Sequence, residues 1–198
     1  MKLLKILLEQ EKILVPRRSK EERAKNYQIT INKEIQQYIK DGSKGNLDLS
    51  DTTITSLPDN LKSVGGYLNL QGTSIKSLPD NLKYVRGELS LGNTRITSLP
   101  DNLEYVGGDL YLDNTPIRSL PDNLFIEGDL SLTRTSIKSL PNNLEVEGDL
   151  YLDYTSITSL SDNLKVGGDI YVHKSPLAEK YTDEEIKNLA DIGGKIVR

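Results

Sequence analysis

From residue 46 onward the apolar side chains return at a fixed rhythm. Pairs spaced L-x-L stand at Leu47/Leu49, Leu68/Leu70, Leu89/Leu91, Leu110/Leu112, Leu130/Leu132 and Leu150/Leu152, with Ile170/Val172 as a seventh. Alternation with period two predicts a short strand with both apolar side chains on one side. A hydroxyl column follows at a fixed offset: Thr52, Thr73, Thr94, Thr115, Thr135, Thr155, then Ser175. An Ile column lies two residues further on, from Ile54 to Ile157, with Leu177 in the last unit. Ser-Leu-Pro then begins at Ser56, Ser77, Ser98, Ser119 and Ser139, with a degenerate copy at Ser159. The last two steps are one residue shorter than the first three. They drop that residue before the glycine, so that NLEYVGGDL (102–110) becomes NLEVEGDL (143–150). A fixed period of this length implies a solenoid in which each unit makes one circuit and cannot bury its apolar side without neighbours. The L-x-L segments should then lie side by side in one parallel sheet. Pro-Asp-Asn on the return stroke predicts turns or a short 3₁₀ piece.

The ends break this rhythm. Ser19-Lys-Glu-Glu22 fits a capping box, and Tyr27, Ile31, Ile35 and Tyr38 recur at helical spacing before Asp41-Gly42. The spacing predicts a helix over 20–40. Residues 2–14 are expected to form another short helix, with a strand as the alternative. Thr182-Asp-Glu-Glu185 is a second capping box; Ile186, Leu189 and Ala190 follow on one face, and Gly193-Gly194 is expected to end that helix. Lys195–Arg198 offers a last strand. The chain thus divides into a helical N-terminal cap (1–45), seven strand units (46–177) and a C-terminal helical cap (178–198). The expected fold is an α+β repeat: a solenoid with a parallel, concave β-sheet and helical caps at both ends.

The unit G-x-L-x-L-x-x-T-x-I-x-S-L-P-D-N-L resembles the leucine-rich repeat family in its short bacterial form, typified by the LPxxLxxLxVxxN units of type III-secreted effectors. It is also similar to repeat proteins predicted from bacteriophage and bacterial genomes, which carry GG-x-L-x-L and T-x-I-x-SLP units. The resemblance spans residues 46–177 and implies the solenoid fold. It also implies a protein-binding role, and its phage flavour suggests a viral protein acting on its host. The position usually held by Asn in this family is Thr here; its hydroxyl can bond backbone groups inside the turn while its methyl packs. The effectors' ubiquitin-ligase domain uses a catalytic cysteine. This chain has none, so that activity is not carried over.

Composition narrows the chemistry. Without cysteine there is no disulfide, thiolate nucleophile or Cys-based zinc site, which fits a reducing cytosol. A single histidine, His173, argues against a Ser-His-Asp triad or a multi-histidine metal site. The glycine pairs at Gly65, Gly107 and Gly167 lack the GK[ST] signature of a phosphate loop, and the aspartate columns lack the nonapeptide pattern of calcium-binding β-helices. In a repeat, paired carboxylates arise automatically, so their spacing says little about glycoside chemistry. We expect no enzyme, no catalytic residue, no metal and no cofactor. MKLLKILLEQEKIL at the start has an apolar run broken by Lys5 and ended by Glu9, so it reads as mature structure rather than an export signal. No stretch is long enough for a membrane span. The expected location is cytoplasmic (the host cytoplasm if phage-encoded).

Charge divides the chain. Residues 1–45 carry +5 and residues 46–177 carry −8. The acidity of the body disfavours direct nucleic-acid binding, and the glutamates within the basic stretch Pro16–Lys25 argue the same there. Inward columns barely vary between units; outward columns do. The first outward column is Asn46, Tyr67, Glu88, Asp109, Asp129, Asp149, Asp169; the second is Asp48, Asn69, Ser90, Tyr111, Ser131, Tyr151, Tyr171. The third is Ser50, Gln71, Gly92, Asp113, Thr133, Asp153, His173, and the fourth is Asp51, Gly72, Asn93, Asn114, Arg134, Tyr154, Lys174. The candidate protein-binding residues are Asp109, Tyr111, Asp113, Asp129, Asp149, Tyr151, Asp153, Asp169, Tyr171 and His173. Adjacent carboxylates about 5 Å apart in solvent repel by about 0.8 kcal/mol per pair, which a basic protein surface would relieve, and tyrosines add contact area. The other reading of the Asp column is structural, as acceptors of turn hydrogen bonds. Phe125 is expected to pack on the back surface. The expected state is a monomer, or a weak homo-oligomer through residues 1–15, which would make the chain a structural, self-associating scaffold instead.

Overall fold

Helix α1, Lys20–Lys40, begins where the capping box is predicted. The Glu22 amide donates to Ser19 Oγ (3.1 Å) and the Ser19 amide to Glu22 Oε2 (3.0 Å), satisfying two amides that the helix itself leaves free. It stops at Asp41, and Gly42 follows with φ 85°. These features come from a computed structural model of the protein that describes residues 19–198. The element expected over 2–14, the self-association segment 1–15 and the start of the basic stretch at Pro16 lie outside the described residues.

One face of α1 closes the first coil. Ile31 and Ile35 are buried in the same apolar core as Leu47 and Leu49. The Tyr38 hydroxyl donates to the Ser43 carbonyl (2.8 Å) and accepts from the Gly65 amide (3.2 Å), and Gln36 and Asn60 exchange side-chain amide bonds at 3.0 Å. These bonds tie the helix to the first return stroke.

Every L-x-L pair points into this core, and the strands lie parallel with equivalent residues in register, Leu47 opposite Leu68, Leu68 opposite Leu89, and so on. The front sheet has eight strands: Leu47–Asp48, Leu68–Asn69, Leu89–Ser90, Leu110–Tyr111, Leu130–Ser131, Leu150–Tyr151, Ile170–Tyr171 and Ile196–Val197. After each strand the hydroxyl column turns the chain. Thr115 Oγ1 donates to the Leu112 carbonyl at 2.6 Å, and Thr73, Thr94, Thr135, Thr155 and Ser175 make the same bond at 2.7 Å. The hydroxyls thus bond within their own turn, as their chemistry suggested, and form no rungs between units. Pro58, Pro79 and Pro100 start the return turns, each accepting the amide of the leucine three residues on.

The L-x-L segments do share one parallel sheet, and a second sheet that the sequence reading did not include lies on the return stroke. Seven further parallel strands make a back sheet, Ser63–Val64, Tyr84–Val85, Tyr105–Val106, Phe125–Ile126, Glu145–Val146, Lys165–Val166 and Asp191–Ile192. The return stroke has its apolar residues three apart, as in Leu61 and Val64, so no alternation marks it as a strand. Its extended shape comes from stacking, with the Lys83 amide on the Lys62 carbonyl (2.9 Å) and the Arg86 amide on the Val64 carbonyl (2.9 Å).

The C-terminal end is corrected. Helices α2, Pro176–Lys180, and α3, Asp183–Lys187, are one turn or so each, and α3 does carry the Thr182–Glu185 capping box. Gly193-Gly194 does not end a helix. It sits between the last back strand and the last front strand, where Gly167-Gly168 sits one coil earlier. The order I-G-G-K-I-V repeats V-G-G-D-I-Y-V, and stacking on the coil before it sets its conformation. Residues 178–198 therefore complete the seventh circuit, with helical turns on its return stroke and the last back strand, and Lys195–Arg198 supplies the strand the sequence offered. Among the described residues no helix is long and apolar enough to cross a membrane.

Candidate functional site

The glycine–aspartate step at the entry to each front strand builds one edge of the candidate face. Asp109 Oδ1 accepts the Asp129 amide (2.8 Å), Asp129 Oδ1 the Asp149 amide (2.8 Å), Asp149 Oδ1 the Asp169 amide (2.7 Å), and Asp169 Oδ1 the Lys195 amide (2.7 Å). Asn46 does the same for Tyr67 at 3.1 Å. The preceding glycine makes room. A Cβ on Gly128, Gly148, Gly168 or Gly194 would meet the Oδ1 of the previous unit's aspartate well inside contact distance. The four carboxylates thus form a rung ladder between coils, whereas the structural reading of this column expected them to accept hydrogen bonds within a turn. Each N–H dipole offsets part of the repulsion between them.

The ladder uses one oxygen of each carboxylate. Asp109 Oδ2 accepts from the Tyr111 hydroxyl (2.7 Å), and Asp149 Oδ2 from the Tyr151 hydroxyl at the longer distance of 3.4 Å. The bond to Asp109, then burial and the nearby carboxylates, raise the Tyr111 phenol. Burial, then the charges of Asp129 and Asp149, push Tyr151 up to about 12. Both hydroxyls therefore stay protonated and donate throughout the physiological range.

Along the second column the register runs Tyr111, Ser131, Tyr151, Tyr171. Tyr151 and Tyr171 come together with ring centroids 4.4 Å apart and planes 11° from parallel. Tyr111 does not join them, because the small, buried Ser131 stands between. Ser131 Oγ donates to Asp113 Oδ1, and Asp153 Oδ1 accepts the His173 amide at 2.7 Å. The ten predicted residues therefore occupy one continuous face of the front sheet. Six of them have a carboxylate oxygen committed to protein hydrogen bonds: Asp109, Asp113, Asp129, Asp149, Asp153 and Asp169.

Two features of the surface escaped the sequence reading. On the back sheet Tyr84, Tyr105 and Phe125 stand in one register line, and Tyr105 and Phe125 stack at 6.0 Å. Phe125 is half-buried there, on the back surface where the sequence put it. On the front face, the whole fourth column is left-handed: Asp51, Gly72, Asn93, Asn114, Arg134, Tyr154 and Lys174 have φ between 51° and 70°. Its first four residues are types that tolerate such backbone, and its last three are not. That change was visible in the sequence; that the column was left-handed was not.

No protein-family model matches the chain, and no curated protein matches it. Among solved structures it is similar to a leucine-rich repeat protein of Leptospira interrogans, with 22% identity and a TM-score of 0.35, over 77% of this chain and 50% of that one. The chain therefore spans about half the length of that protein. Regularly stacked parallel strands, one circuit per sequence repeat, fit a leucine-rich repeat protein. Stacked repeats of this kind create extended surfaces of the sort solenoids use for binding.

Proposed function

We propose that the C-terminal half of the front face binds a protein with a basic surface. The observation that carries this is the division of labour within the carboxylates. Each ladder aspartate holds a neighbouring amide with Oδ1, and Asp129 and Asp169 have no protein hydrogen-bond partner for Oδ2 among the described residues. A lysine or arginine brought to this edge meets a row of oxygens repeated once per strand, about 4.8 Å apart. The rungs fix the carboxylates beforehand, so little rotamer entropy is lost on binding. Tyr151 and Tyr171 add a flat aromatic surface beside them. The mechanism is occupancy: a rigid surface covers the partner. The charge of −8 over 46–177 and the resemblance of the repeats support a finer reading, in which the chain is a phage-encoded inhibitor covering a host protein that processes nucleic acid or serves defence.

The ladder dictates the variant that tests this. Changing the aspartates to lysine would remove rungs as well as charge. Asn46 already makes a rung with an amide oxygen, so Asp109→Asn, Asp129→Asn, Asp149→Asn and Asp169→Asn together remove four charges and keep every rung acceptor; at 109 and 149 an NH2 group replaces Oδ2, and the Tyr111 and Tyr151 hydroxyls turn to accept from it. The quadruple variant is expected to keep its melting temperature within about 3 °C and to bind a lysine-rich peptide at least tenfold more weakly at low salt. Binding of the native protein should fall steeply as salt rises. Equal affinity of the two proteins, or affinity indifferent to salt, rejects the proposal.

A further inference from the structure

The left-handed column carries information that packing does not explain. For an ordinary L-residue this conformation is costly, and glycine, asparagine and aspartate are the types that adopt it routinely. The chain uses those types at Asp51, Gly72, Asn93 and Asn114, then places Arg134, Tyr154 and Lys174 at the same backbone position with φ 56°, 56° and 51°. None of the three fills the core: all are exposed, Tyr154 at 39%. They do fit one another. The Arg134 guanidinium carbon lies 4.6 Å from the Tyr154 ring centroid, Lys174 Nζ lies 5.3 Å from it, and the His173 ring meets Tyr154 edge-on at 5.4 Å. Neither cation has an ion-pair partner among the described residues. Two unpaired cations are thus held about one exposed ring, on three successive coils, at a backbone position where asparagine would suffice for the turn.

We propose that Arg134, Tyr154 and Lys174 form a carboxylate-binding ridge that receives an acidic segment of the protein partner; this rests on the reading that the front face binds protein. The ridge lies five residues along each strand from the aspartate ladder, Asp129 to Arg134, Asp149 to Tyr154 and Asp169 to Lys174. The face is therefore basic along one edge and acidic along the other, with the tyrosine pair between. A partner carrying basic groups alone would satisfy one edge and leave the other bare. One carrying an acidic group beside its basic ones is oriented as well as held, since turning it around sets like charges together. The same arrangement disfavours nucleic acid: a phosphate chain long enough to reach both cations would run beside Asp153.

The test needs no identified partner. Tetraglutamate is titrated into the protein at low salt and followed by amide NMR, with an oligothymidylate of equal charge as a second probe. Tetraglutamate is expected to shift the amides of residues 134, 154 and 174 saturably and to bind more tightly than the oligonucleotide. The combined variant Arg134→Asn, Tyr154→Asn, Lys174→Asn, which suits the left-handed turn, should bind tetraglutamate at least tenfold more weakly with an unchanged or higher melting temperature. The ladder variant with four asparagines should keep tetraglutamate binding, so failure of the basic-partner reading and failure of this one are told apart. No shifts at the ridge, tighter binding of the oligonucleotide, or undiminished binding by the triple variant overturns the proposal. So does a fall of several degrees in that variant's melting temperature, which would make the ridge a structural element instead.

Discussion

At the scale of single residues, the glycine of the Gly-Asp step is demanded by its neighbour in the adjacent coil rather than by its own backbone. Gly148 has no positive φ; a Cβ there would meet Asp129 Oδ1 and come within 2.7 Å of the Gly128 carbonyl carbon. Gly148→Ala is therefore expected to cost about 1–3 kcal/mol, as overpacking does. Gly92→Ala is the control. Its Cβ would meet the Asp113 carbonyl oxygen at 3.6 Å, an ordinary contact, so reduced freedom of the unfolded chain should leave it neutral or stabilising by up to about 1 kcal/mol. Urea unfolding of the two variants separates these outcomes. The tyrosines make a second prediction at this scale. Tyr111 and Tyr151 are raised above the ordinary phenol value in the folded state, Tyr151 to about 12. A raised folded-state pKa gives stability that is whole below the unfolded value of about 10 and is lost as pH climbs through the folded value. Stability to urea should fall over that alkaline interval, and Tyr111→Phe should make the fall shallower. An equal slope for both proteins would mean that the bond to Asp109 does not hold the proton.

At the scale of elements, α1 is what lets the first coil exist. A solenoid's stability is close to a sum of unit terms and neighbour interfaces, and the first coil has no coil before it. Ile31 and Ile35 take that place, fully enclosed against Leu47 and Leu49. Ile35→Ala is expected to cost about 2–4 kcal/mol. The loss should be local, with amide exchange quickening in the first two coils before the last ones. Uniform quickening along the chain would argue against unit-by-unit stability. This helix was legible in the sequence because Ser19, Glu22 and the spacing of Tyr27, Ile31 and Ile35 are local signals. The short helices at the other end were half legible. Thr182 and Glu185 marked a start, but the helix stops at Asn188, and Gly193-Gly194 stack instead on Gly167-Gly168, residues a whole coil away in the chain.

At the scale of the whole molecule, the fixed repeat period already implied stacked circuits, and L-x-L implied which side chains turn inward. The back sheet was not legible, because its strands show no apolar alternation and owe their pairing to coils stacked in register. Nor was the purpose of Gly-Asp, since the rung joins equivalent positions of successive units and depends on a missing Cβ. The candidate face was readable as a set of columns. Its division into an acidic edge, a tyrosine pair and a cationic ridge needed the register and the backbone conformation.

The aspartate ladder also has a direction. Every carboxylate serves the coil that comes after it, and none serves the coil before. Duplicating or excising one complete period between two Gly-Asp steps would leave each remaining amide with an acceptor, so the array can change length without any partner sequence having to change with it. Gene-level gain or loss of a coil would then alter the span of the binding face in increments of one strand while the scaffold beneath went on folding by the same rules.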